Sequence, residues 1–98
     1  MRIALFGYGK MGQMIERIAL EKGHEIVAKI DVDTLNIDFS SIDVAIDFST
    51  PQSAFDNISN CFKHHIPVIS GTTGWLDKYD DTVALCKETN AALIYASN

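Results

Sequence analysis

The sequence is short of cysteine, of basic charge and of long apolar runs. Its two cysteines, Cys61 and Cys86, stand far apart and form no C-x-x-C pair. That spacing does not suit a disulfide scaffold, and two buried free thiols in a reducing, cytoplasmic setting are the expectation. Lysine and arginine together number 8 against 13 aspartates and glutamates, a formal net charge of -5. This balance disfavours nonspecific attraction to nucleic acid or to an anionic membrane. No apolar run approaches the ~20 residues that span a bilayer. Met1-Arg2 leads straight into a strand-like run, with no charged and apolar leader before it. His64-His65 lack spaced Cys or His partners, so no metal site is expected there, nor at His24. No serine sits in an elbow motif and no base–acid pair marks a catalytic pocket. No catalytic residue is therefore assigned within this chain.

What the chain has is alternation. Apolar residues make up 47% of it, enough for the core of one domain. Strand-like runs fall at about 3–6, 25–30, 44–48, 67–70 and 91–95. Between them the apolar period lengthens to that of helices, at about 10–22, 51–63 and 76–89. In the first helix the inward stripe is read as Met11, Met14 or Ile15, Ile18 and Ala19, with Glu16 on the wet face and Gly23 as the stop. Thr50-Pro51 is a start signal for the second, whose stripe is Ala54 or Phe55, Ile58, Cys61 and Phe62. The third should turn Leu76, Tyr79, Val83 and Cys86 inward. Residues 31–42 are too few and too polar for a crossover helix, so an irregular connection with a turn near 34–37 is expected. The pattern predicts an α/β, Rossmann-type, mostly parallel sheet with helices on both faces.

The chemistry gathers at the strand ends. Gly7-Tyr8-Gly9-Lys10-Met11-Gly12 is G-x-G-x-x-G at the first strand-to-helix turn. Gly7 permits the tight turn, Gly9 lets backbone approach a pyrophosphate, and Gly12 lets the helix pack on the sheet. Free N–H groups at the helix start would face the phosphates, which points to a dinucleotide. Lys10 either adds charge toward a phosphate or is a solvated first-turn lysine. Asp31 stands nineteen residues beyond Gly12, at the end of the second strand-like run. Its carboxylate suits the adenosine ribose hydroxyls and opposes a 2′-phosphate, and Val32 beside it offers no guanidinium. NADH is therefore favoured over NADPH, with Asp33 the alternative ribose ligand. Phe48-Ser49-Thr50 and Gly71-Thr72-Thr73-Gly74 sit on rims where a nucleotide could lie, although Phe48 also suits ordinary core. Asp47 can tie down its loop from below, and Asn98 can supply a further strand end.

These motifs together resemble the amino-terminal part of the bacterial dihydrodipicolinate reductase family. The resemblance rests on the glycine loop, Asp47-Phe48-Ser49-Thr50-Pro51, Gly71-Thr72-Thr73-Gly74 and Ala96-Ser97-Asn98, in order over nearly the whole chain. It implies NADH or NADPH as cofactor and reduction of 4-hydroxy-tetrahydrodipicolinate on the lysine and diaminopimelate route. It further implies a second domain, absent from this chain, that binds the cyclic dicarboxylate and builds a homotetramer. By that resemblance Gly71, Thr72 and Thr73 frame the nicotinamide, Thr73 also meets a substrate carboxylate, and Ala96, Ser97 and Asn98 lie at a hinge beside the ring. Departures are Lys10 and a compact glycine loop where many members have arginine and a longer loop, Val32 where many have a basic residue, and a short connection before Val44. The family's histidine pair and lysine loop fall after Asn98, and His64-His65 do not match them. Residues 1–98 are thus expected to be an incomplete nucleotide-binding domain. A non-catalytic nucleotide-sensing or protein-interaction module of the same fold is the alternative.

Overall fold

Alternation along the first strand sets the two faces of the sheet. In β1 (Arg2–Phe6), Ile3 and Leu5 point to one side and Ala4 and Phe6 to the other, and all four are buried. A computed structural model describes residues 1–30, 37–72 and 76–95. After β1 come α1 (Lys10–Glu21), β2 (Glu25–Ile30), β3 (Val44–Asp47), α2 (Pro51–Lys63), β4 (Val68–Ser70), α3 (Tyr79–Glu88) and β5 (Leu93–Tyr95). The strands form one sheet in the order β2-β1-β3-β4-β5, and every pair is parallel. The α/β class and the helices on both faces are as the sequence predicts.

One face packs Ile3 and Leu5 under Ala19 and Ile15 of α1. The other packs Ala4, Phe6, Ala45 and Val68 under Ala54, Ile58, Cys61 and Phe62 of α2, with Leu85 and Cys86 of α3 alongside. The α2 stripe is the expected one. Thr50 accepts the Ser53 N–H at 3.3 Å, and Pro51 occupies the first helical position. The α1 stripe is the expected one only in part, with Ile15 and Ala19 packed inward. Met11, Met14 and Ile18 are exposed, whereas Gly12 and Ala19 are buried. In α3 the buried residue is Thr82, whose hydroxyl donates to the Lys78 carbonyl at 2.8 Å, while Tyr79 is exposed. Among the described residues between β2 and β3 there is a 3₁₀ turn at Phe39–Ser41. The turn expected near 34–37 lies largely outside the described residues. Each helix exits through a left-handed residue: Gly23 (φ 84°), His65 (φ 58°) and Asn90 (φ 54°).

Two further features bear on the site. The strands finish level, with Ile30, Phe6, Asp47, Ser70 and Tyr95 paired in one row across the sheet. On the α1 side a second row, Leu5, Ile46, Ile69 and Ile94, runs from buried to 62% exposed at Ile94. Among the described residues no helix of the structure is long and apolar enough to cross a membrane.

Candidate functional site

The chain goes from β1 to β2 on one side and continues through β3 on the other, and the connections that leave the paired carboxyl ends of β1 and β3 run to α1 and α2 on opposite faces. Such a switch point is where ligands bind in parallel sheets. A cleft of about 570 Å³ opens there. Gly7, Tyr8, Gly9, Phe48, Ser49 and Thr50 line it, so the first and second predicted motifs meet.

Local physics explains the loop. Gly7 holds φ 94°, a conformation that costs an L-residue with a Cβ. Its N–H donates to the Ile30 carbonyl at 2.7 Å, which ties the loop to the end of β2. A Cβ on Gly7 would collide with the Phe48 carbonyl and stand 2.7 Å from its carbon. A Cβ on Gly12 would stand 2.5 Å from the Gly7 carbonyl oxygen. That contact fixes the rotation of α1, which is why Gly12, Ile15 and Ala19 face in and the methionines face out. Gly9 differs, because a Cβ there would meet nothing within 4 Å. Gly9 also caps α1 and has no side chain to offer the first-turn N–H groups of Lys10, Met11 and Gly12. Space for backbone contact beside an uncapped helix start fits a phosphate-bearing ligand. Lys10 and Met11 are exposed, and neither they nor buried Gly12 line the cleft.

Tyr8 joins Glu16, which sequence reasoning put on the wet face, to Lys29. Its hydroxyl donates to Glu16 of α1, and Glu16 pairs with Lys29 of β2 at 2.6 Å. The Lys29 ammonium lies 5.0 Å from the centre of the Tyr8 ring. The hydrogen bond to Glu16 raises the Tyr8 pKa, and the Lys29 bond holds Glu16 below the usual carboxylate range. Glu16 is thus half-buried and engaged rather than solvated.

The opposite wall of the cleft is the polar side of α2. Gln52, Ser53, Asp56, Asn57 and Asn60 line it, together with the apolar Ile30 and Ile37. None of the five was expected at the site. The available signal was a polar stripe at helical spacing starting directly at a strand end.

Gly71 and Thr72 are buried behind the cleft. The Phe48 ring rests on Gly71, where a Cβ would stand 2.9 Å from the ring carbon Cδ1. Phe48 is therefore both half-buried packing and cleft wall. Asp31, with its alternative Asp33, and Thr73, Gly74, Ala96, Ser97 and Asn98 lie outside the described residues. Among the described residues no group of three or more His, Cys, Asp or Glu side chains could hold a metal ion. Cys61 and Cys86 are free, and burial, with Asp47 adding to it, pushes the Cys61 thiol up to about 12.

Comparison with known proteins agrees with this geometry. The family described as dihydrodipicolinate reductase, N-terminus, matches residues 1–98. A 4-hydroxy-tetrahydrodipicolinate reductase of Christiangramia forsetii is 58% identical over 100 residues, covering 100% of this chain and 42% of its own. The Staphylococcus aureus (strain MRSA252) protein of the same name is 40% identical over 88 residues, covering 80% of this chain and 36% of its own. The chain thus spans less than half the length of these curated relatives. Among solved structures, a probable dehydrogenase from Thermotoga maritima superposes with a TM-score of 0.80 at 14% identity, over 98% of this chain and 36% of that one. A putative myo-inositol dehydrogenase from Sinorhizobium meliloti gives 0.78 at 13% identity, over 97% and 35%. These two likenesses concern the fold alone. With its whole length matched by the family and a relative 58% identical across it, the chain belongs to the dihydrodipicolinate reductase family, as its amino-terminal part.

Proposed function

We propose that this chain is the cofactor-binding part of an NAD(P)H-dependent 4-hydroxy-tetrahydrodipicolinate reductase of lysine and diaminopimelate biosynthesis. One observation carries the reading: a cleft at the β1–β3 switch point, with an uncapped helix start and an open Gly9 beside it. When bound, the nicotinamide supplies a hydride. The chain's own work is placement, which turns a collision of two reactants into a held geometry. Gly7, Gly9 and the N–H groups of Lys10, Met11 and Gly12 hold the pyrophosphate. Asp31 takes the adenosine ribose, and Tyr8, Phe48, Ser49 and Thr50 flank the nucleotide. Gly71, Thr72 and Thr73 frame the nicotinamide ring, with Ala96, Ser97 and Asn98 beside it.

NADH is the preferred cofactor in this reading, since Asp31 opposes a 2′-phosphate and Val32 adds no guanidinium. A further domain binds the cyclic dicarboxylate and builds a homotetramer. The two free thiols suit a reducing cytoplasm. Calorimetric titration with NADH and NADPH tests the proposal. Both should bind, NADH more tightly. Failure of both to bind at millimolar concentration would remove the cofactor role, and equal affinities would remove the preference.

A further inference from the structure

β3 ends on a carboxylate where its neighbours in the row are apolar or hydroxylic. Asp47 is 1% exposed, and taking such a charge from water is costly unless its oxygens are satisfied. Three hydroxyls satisfy them. Ser49 Oγ donates to Oδ1 at 2.6 Å, and Thr72 Oγ1 and Ser70 Oγ donate to Oδ2 at 2.8 and 3.0 Å. No cation among the described residues pairs with it. The donors come from the loop after β3, from the end of β4 and from the loop after β4. Gly71 N–H adds a bond to the Asp47 carbonyl at 2.8 Å.

A carboxylate can only accept, so it dictates the direction of each hydrogen bond around it. Ser49 has one proton, and that proton is committed to Asp47. Ser49 must therefore accept from its remaining partner, Asn57 Nδ2, at 3.2 Å. The amide of Asn57 cannot be turned round, because its oxygen would then face an oxygen with no proton to give. The order Asn57→Ser49→Asp47 leaves the Asn57 Oδ1 as an acceptor without a partner among the described residues, on a half-buried residue that lines the cleft.

We propose that Asp47 is a positioning residue that sets the hydrogen-bond polarity of the cleft wall, so that Asn57 presents an acceptor to a donor on the nucleoside end of the ligand. This rests on the cofactor reading above. The shared chemistry is a hydrogen-bond donor of adenosine, supplied either by the 6-amino group or by a ribose hydroxyl. Through the same carboxylate the wall is tied to Ser70 and Thr72, and through the Asp47 backbone carbonyl to Gly71, so the two strand-end loops keep one register.

The test titrates the protein with NADH, with its hypoxanthine analogue, in which the 6-amino group becomes an oxygen, and with its adenosine 2′-deoxy analogue. The wild type should favour NADH by about tenfold over whichever analogue lacks the donor that is read, the worth of one well-placed hydrogen bond. Asn57→Ala should bring that ratio toward one. Asp47→Asn should do the same without touching the ligand, since an amide can donate to Ser49 and release the relay. Ser49→Ala cuts the relay at its middle and serves if Asp47→Asn does not fold. A purely structural role for Asp47 would weaken all three ligands alike and leave the ratio intact, which would overturn the proposal. A ratio near one in the wild type would also overturn it. Failure of the wild type to bind any of the three would instead remove the cofactor reading beneath it, and the proposal with it.

Discussion

Alanine at Gly7, Gly9 and Gly12 should separate what the glycine loop does for the fold from what it does for the ligand. At Gly7, φ of 94° sets a cost of about 1–2 kcal/mol for any L-residue. The new methyl also meets backbone, 2.7 Å from the Phe48 carbonyl carbon, and backbone cannot swing aside as a side chain can. Overpacking of that kind adds about 1–3 kcal/mol. The expected loss is therefore about 2–5 kcal/mol, a large share of the ~5–15 kcal/mol that holds a domain together. At 4–8 °C per kcal/mol, the unfolding midpoint should fall by at least about 8 °C. Gly12→Ala meets the Gly7 carbonyl oxygen at 2.5 Å and should lose about 1–3 kcal/mol, offset by up to ~1 kcal/mol of helix propensity. Gly9→Ala points its methyl into open cleft, so stability should stay within about 1 kcal/mol of wild type. Its NADH affinity should nevertheless drop at least about tenfold, because the methyl stands where the pyrophosphate approaches. Thermal unfolding of the three variants and parallel NADH titrations read both quantities. If Gly9→Ala binds NADH as the wild type does, the phosphates do not sit on this loop. If it loses as much stability as Gly7→Ala, the steric account is wrong.

Three further outcomes follow from local chemistry. With its thiol pushed up to about 12 and 1% exposed, Cys61 should resist alkylation at neutral pH in the folded protein and react at a free-thiol rate once denatured, as mass spectrometry after timed iodoacetamide treatment would show. Among the described residues the buried Ser59 hydroxyl finds no hydrogen-bond partner, so Ser59→Ala should raise stability by about 1 kcal/mol in urea titrations; a loss would mean the hydroxyl is satisfied. Asp43 is held below the usual carboxylate range by the Arg2 side chain, with which it pairs at 3.1 Å, so its stabilisation is present above the unfolded value near ~3.9 and lost as pH falls through the folded value. Asp43→Asn should flatten that acid limb of an unfolding-midpoint curve, and an unchanged limb would exclude the pair as a cause.

Strands and their order of appearance were readable because near-continuous apolar runs are what a doubly covered parallel sheet demands. The start of α2 was readable because Thr50-Pro51 acts locally, through one hydroxyl and one absent N–H. The rotation of α1 was readable only in part: apolar periodicity placed Ala19 correctly and left Met14 or Ile15 open, but it also chose Met11 and Ile18, while the contact between Gly12 and the Gly7 carbonyl decided the matter. Glycine carries no hydrophobic signal, so that contact is invisible to any count of apolar positions. Half of the cleft was missed for a related reason: Gln52, Ser53, Asp56, Asn57 and Asn60 look like any solvated helix face until the sheet places a second wall opposite. The Tyr8–Glu16–Lys29 group needs three elements brought together by the β1–β2 pairing, and no local rule joins residues so far apart.

The level finish of the strands has a metrical consequence. With neighbouring strands ~4.8 Å apart, the exits of β2 and β4 are separated by about 14 Å along a straight rim. Ile30 stands at one of those exits and Ser70 at the other, with Phe6 and Asp47 between. An elongated ligand can lie across that rim without bending to follow steps in the sheet. A short one reaches the β2 exit or the β4 exit and never both. The sheet therefore acts as a ruler, rewarding molecular length before any side chain has tested the identity of either end.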